Sequence, residues 1–187
     1  MRNIKNNVLI ITFLLFVLFA CSNQRSLETE TAAVKNIVET YCKADLNGAR
    51  LSAKNYSKSD IHNIITVGDF TEPGWDTASL IKKYLITAVK LNEKNATVTV
   101  SYDALGEITG TEEVILNKKT EECTFDLVKI NGKWKLKNPY DLNPHISINT
   151  AIKHIEELYN AEKACHHPQA PAIIIKLNKM KKDNYGM

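Results

Sequence analysis

Apolar residues recur along this chain with three different spacings, and each predicts a different element. Residues 8–20 (VLIITFLLFVLFA) are apolar without a period, interrupted only by Thr12. From Thr31 to Leu46, the residues Val34, Ile37, Val38, Tyr41 and Cys42 follow the i, i+3, i+4 spacing of an amphipathic helix. Asn47-Gly48 then supplies a helix end. Residues 51–67 mix Ser and Asn with Leu51, Tyr56, Ile61, Ile64 and Ile65, which predicts a short helix or a turn-rich stretch. The run Glu72-Pro73-Gly74-Trp75-Asp76 predicts a turn, with Asp76 or Thr77 capping a further short element near Leu80.

Downstream the period shortens to two. Val98, Val100 and Tyr102 alternate with Thr97, Thr99 and Ser101, the pattern of a half-buried strand. The apolar stretch Leu85 to Leu91 joins it through Asn92 to Asn95, and another strand is predicted at Glu113 to Leu116. The sharpest local signal is Thr124 to Lys137, where two alternating runs flank Asn131-Gly132, a pair suited to a type I′ turn. With those two residues in the loop, Ile130 faces Lys133 and Leu127 faces Leu136. Cys123, Phe125, Leu127, Trp134 and Leu136 then share a packed face, with Lys133, Lys135 and Lys137 on the other. Beyond Pro144, a helical stripe returns at Ile148, Ala151, Ile152, Ile155, Leu158 and Tyr159, with Ser147 or Asn149 as its cap. Pro168, Pro171 and the lysines at 176, 179, 181 and 182 predict a loosely held basic tail over 166–187, with Ile173 to Ile175 as the part able to dock.

The whole is 187 residues with 24 Lys and Arg against 21 Asp and Glu. Arg2 and Lys5 are the only charges in the first twenty, so the rest is within one charge of neutral, which argues against a dedicated nucleic-acid binder. Charged residues followed by the apolar run 8–20 have the form of an export leader. As a helix that run is about 20 Å long, short of the roughly 30 Å hydrocarbon core, so a permanent span is the weaker reading. Leu18-Phe19-Ala20-Cys21 resembles the bacterial lipobox, although Phe19 is an unusual occupant of its position. The resemblance implies cleavage before Cys21 and lipidation of that thiol, the alternative being an ordinary secretory leader cut near Ala20 that leaves Cys21 a plain thiol; Ser22 instead of Asp after it implies the outer membrane in a two-membrane organism. Several acyl chains give stable anchoring where one does not. On this reading residues 1–20 are a leader, 21–30 a tether and 31–165 one folded domain.

The helix with VETYCKADLNGARL, the turn EPGWD, the strand TVTVSY and the hairpin FDLVKINGKWKL together resemble the nuclear transport factor 2-like, or cystatin-like cone, superfamily over roughly Thr31 to Lys137. That resemblance implies an α+β fold in which a curved antiparallel sheet packs on N-terminal helices around a pocket. Pro144 to Tyr159 adds a C-terminal helix past the usual ending, able to cover the pocket mouth or a sheet face. It also implies Tyr41, Trp75, Tyr102, Phe125 and Trp134 as pocket-lining residues, weighed against plain core packing, which large aromatics at these spacings most often show. Members include envelope lipoproteins, binding modules, isomerases and dehydratases, so fold does not select function. The expectation is a lipid-anchored envelope domain that binds a small ligand, a peptide or another envelope protein. The alternatives are a small pocket enzyme and a structural envelope component.

Candidate chemistry is sparse. A carboxylate or His base is available at Asp45, His62, Asp69, Asp76 or Asp103, with Tyr41 or Tyr102 as donors, but Asp45 near a helix end, Asp76 as an N-cap and Asp103 at a strand end each have a structural role, and no catalytic residue is assigned. Cys165-His166-His167, with His154 upstream, lacks the spacing of a metal motif, and no cofactor motif is present. Cys42, Cys123 and Cys165 allow at most one internal disulfide.

Overall fold

A computed structural model describes residues 27–66, 76–110, 113–137, 139, 142–161 and 167–185. Helix α1 covers residues 27–46. After a 3-10 turn at Ala49–Leu51 come α2 (Ala53–Lys58) and α3 (Ile61–Ile64). Three long strands follow, β1 (Thr77–Leu91), β2 (Asn95–Thr109) and β3 (Glu113–Ile130). Short strands β4 (Lys133–Leu136) and β5 (His145–Ile146) lead into α4 (Ile148–Ala161) and α5 (Ala170–Tyr185). The sheet order is β4-β3-β2-β1-β5, antiparallel except for the parallel β1/β5 pair. The fold is therefore α+β, with N-terminal helices, a curled five-stranded sheet and C-terminal helices, as the patterning predicts at that level.

The period-two signals set the register. Asn131 and Gly132 take φ of 50° and 78°, and Ile130 pairs with Lys133 and Leu127 with Leu136 as expected. Phe125, Leu127, Trp134 and Leu136 are all buried. Asn92 N–H donates to Asn95 O (2.9 Å), closing the β1/β2 hairpin.

Bulges decide which face of the sheet meets which helices. Leu80 pairs with Gly106 but Ile81 with Ala104, so Leu105 is an extra residue in β2. Because successive side chains alternate, that extra residue exchanges the faces. Val98, Val100, Tyr102, Ala104 and Ile81 pack toward α1. Leu80, Leu105 and Ile108 instead join Val114, Ile148 and Ile155 under α4 and α5. Gly106 is required at this bend, since a Cβ there would lie 2.1 Å from the Ile115 carbonyl oxygen.

Four expectations are corrected. Residues 27–30 belong to α1 and not to a tether, because Glu30 is held by Lys129 (2.6 Å) and by the Trp134 indole N–H. Asp76 and Thr77 cap no helix: Thr77–Leu91 is one strand, stabilised by pairing along its length with β2. The strands expected at 113–116 and from 124 are one strand, β3. Residues 170–185, expected in a loose tail, form α5, which buries Ala170, Ile173, Leu177 and Met180. Their spacing is helical, but the interleaved lysines, one of which, Lys176, donates to the Val114 carbonyl, hide it in the composition.

Candidate functional site

The last turn of α1 carries Cys42 and Asp45 inward, both at most 2% exposed. Gly48, at φ 81°, reverses the chain, and the 3-10 turn returns Arg50 to Asp45. Arg50 Nε donates to Asp45 Oδ1 (2.9 Å), and the His145 backbone N–H donates to Oδ2 (2.8 Å). Arg50 also reaches the crossover between β4 and β5, donating from Nη1 to Pro139 O (3.3 Å) and from Nη2 to Leu142 O (2.7 Å). Beside them Leu46 O accepts from Ser147 N–H (3.1 Å) and the Thr150 hydroxyl (2.8 Å). Ser147 Oγ accepts from Thr150 N–H, which makes Ser147 the cap of α4. The end of α1 is thus fastened to the segment that carries β5 and α4.

His145 sits at the centre. Its ring stacks on Tyr102 at 3.9 Å between centroids and 14° between planes. Nε2 lies 3.4 Å from Glu121 Oε2 and Nδ1 lies 4.0 Å from Asp45 Oδ2. Glu121 in turn is paired through Oε1 with Lys119 (2.8 Å). Cys42 Sγ and the Tyr102 hydroxyl are 3.2 Å apart.

Burial governs the ionisation of the group. It pulls the His145 pKa below its ordinary value despite the opposing pull of Asp45 and Glu121, so the ring is neutral at neutral pH. Burial, aided by Asp45, pushes the Cys42 thiol up to about 12, and burial with Cys42 nearby raises Tyr102 as well. Cys42 is therefore a thiol and not a nucleophilic thiolate. For Arg50, burial opposes the charge but Asp45 outweighs it and the pKa rises. Both Asp45 oxygens are engaged by structural donors.

Among the described residues two surface recesses border α1. One, of about 430 Å³, opens beside the second half of α1 and is lined by Thr40, Lys43, Asn47, Asn55, Lys58 and Asp60 among others. The second, of about 340 Å³, lies at the start of α1 and the β1/β2 turn, lined by Leu27, Glu30, Leu91, Glu93, Lys129 and Trp134 among others.

Of the aromatics expected around a pocket, Tyr41, Tyr102 and Phe125 are packed into the core, Tyr41 edge-on to Phe125 at 5.3 Å. Trp134 borders the second recess, and Trp75 lies outside the described residues. Among the carboxylate and His candidates only Asp45 enters the cluster. His62 and Asp76 are exposed, Asp103 is half-buried on β2, and Asp69 lies outside the described residues. Cys165 and His166 also lie outside them, while His154 is buried on α4. Among the described residues no group of three or more His, Cys, Asp or Glu is arranged to hold a metal. Cys42 and Cys123 are both free thiols.

Sequence reasoning missed Arg50, Glu121 and His145. Arg50 did leave a trace, a lone cation between Ala49 and Leu51 just after a helix end. Glu121 and His145 left none, since they lie 24 residues apart and the other groups that meet His145, Tyr102 and Asp45, are farther still along the chain. No family model, curated protein or solved structure matches the chain.

Proposed function

We propose that this chain is a lipid-anchored envelope protein whose domain, of the cystatin-like cone type, binds a small ligand, a peptide or another envelope protein and does not catalyse a reaction. The observation that carries the anchoring is positional: only residues 22–26 separate Cys21 from α1. A chain that short reaches at most about 20 Å, so a lipidated Cys21 would hold the domain close to the bilayer. No described helix is long and apolar enough to cross a membrane.

The binding reading is supported by how the interior charges are used. Asp45 and Arg50 neutralise one another and hold the β4–β5 crossover, which is the work of a staple. The recess at the start of α1 offers a mixed apolar and charged surface near the anchored end.

Cys21→Ala is expected to abolish incorporation of labelled fatty acid and to release the protein from washed membranes. Unchanged labelling and sedimentation would refute the anchor. Native mass spectrometry of the purified protein, looking for a co-purifying ligand that is lost on unfolding, tests the binding half separately.

A further inference from the structure

The sheet leaves two open edges. Among the described residues β4 covers only Leu127–Ile130 of the eighteen-residue β3, its own far side meeting Ile65, and β5 covers only Ser79 and Leu80 of β1. No backbone partner is recorded on the outer side of residues 115–125 of β3 among the described residues. The side chains Ile115 to Thr120 are all exposed there, including Ile115 (44%) and Leu116 (61%).

The two edges differ in charge order. β1 beyond Leu80 carries Lys82, Lys83 and Lys90 and no acid, so two copies brought together at this edge repel. β3 reads Lys118-Lys119-Thr120-Glu121-Glu122. An antiparallel pairing of two such strands about Thr120 sets Lys118 opposite Glu122, Lys119 opposite Glu121 and Thr120 opposite Thr120. Opposite charges directly across a strand pair attract, and like charges repel. Lysines on an open edge ordinarily block pairing; here the order of signs reverses that effect toward an identical edge.

We propose that this protein associates with a second copy of itself through β3, two-fold about Thr120, joining the two sheets along one edge. Lys119 is already within 3.1 Å of Glu107 and 2.8 Å of Glu121 in its own chain. Lys118 and Glu122 have no ion pair recorded among the described residues, and the second copy supplies one to each. The bulge at Asn117–Lys118, where β3 runs three residues for two of β2, bounds the pairing to Lys118 through Glu122 on each copy. Such a contact is small beside the roughly 800 Å² per partner of a stable interface, so the association is weak and reversible. Because the patch is self-complementary, the contact closes as a dimer and does not propagate.

The experiment uses the full chain in membranes with an added thiol oxidant. Residues facing one another across a strand pair lie 4.5–5.5 Å apart at Cα, within disulfide reach. Thr120→Cys is expected to give a cross-linked dimer above the background of the native thiols, whereas Leu85→Cys, exposed on β1, is not. Adding Lys118→Glu to Thr120→Cys reverses both symmetry-related pairs and is expected to lower the dimer yield about tenfold. Adding Glu122→Lys alone does the same, and co-expressing the two variants restores cross-linking between them. Equal trapping at positions 85 and 120, insensitivity to Lys118→Glu, or failure of the mixed pair to recover would each overturn the proposal. All four positions are exposed, so misfolding does not mimic these outcomes.

Discussion

Arg50→Ala removes one half of a pair that is almost wholly out of water: Arg50 is 5% and Asp45 1% exposed. The Asp45 carboxylate would keep the His145 N–H but lose the guanidinium at 2.9 Å, and the carbonyls of Pro139 and Leu142 would lose their donor. Deleting one partner of a buried ion pair costs about 3–5 kcal/mol, because the other charge remains buried without compensation. Against a total stability of about 5–15 kcal/mol that is a large fraction. At about 2–4 °C per kcal/mol for a chain of this size, the melting temperature should fall by about 6–20 °C. Urea unfolding followed by circular dichroism measures the loss, and a cycle with Asp45→Leu and Arg50→Met separates the pair from its neighbours. The apolar double variant should lose less than the two single changes added together, because no uncompensated charge stays buried, yet remain at least about 1–3 kcal/mol below wild type, because the His145 N–H and the Pro139 and Leu142 carbonyls lose their side-chain partners. A cost below about 1 kcal/mol for Arg50→Ala, or a coupling below about 0.5 kcal/mol in the cycle, would refute the staple.

Gly106→Ala sets a Cβ 2.1 Å from the Ile115 oxygen, so backbone must move; a loss of about 3 kcal/mol is expected in the same urea assay, against a few tenths if the bulge adapts freely. Leu177→Ala opens a hole at a fully buried position of α5, expected to cost about 2–5 kcal/mol by thermal melting; no effect would return residues 170–185 to a loose tail. Burial lowers the pKa of both His145 and His154, with Asp45 and Glu121 opposing at the first and Glu157 at the second. The unfolded chain therefore takes up protons first, and stability should be full above pH 6.5 and decline as pH falls below it. His145→Phe should flatten that decline, measured by urea midpoints between pH 7.5 and 5.5; an unchanged slope would contradict it.

The cluster and the fold share one economy. Tyr102 belongs to the β2 alternation, yet its ring carries His145 and its hydroxyl meets Cys42. A change intended to probe chemistry at Tyr102 or His145 would also loosen the joint between α1 and the β5–α4 segment.

The local pattern was sufficient for several elements but not at Asp76-Thr77, where a capping signal stands at the start of a strand. Val34, Val38 and Tyr41 announced α1, Asn131-Gly132 announced the hairpin and its register, and the start of α4 was narrowed to Ser147 or Asn149, of which the structure uses Ser147. The expectation of a processing signal at Cys21 and the apolar run before it rests on the sequence alone. Tertiary structure alone decided the rest. The extra residue Leu105 is invisible to a period-two scan, yet it determines that Tyr102 faces α1 while Ile108 faces α5. The lysines of α5 disguised a buried stripe, because composition averages over faces that only packing separates. Asp45, Arg50, Glu121 and His145 come together across as many as a hundred residues of chain, since burial forces each charge and polar group to find a partner wherever the fold supplies one.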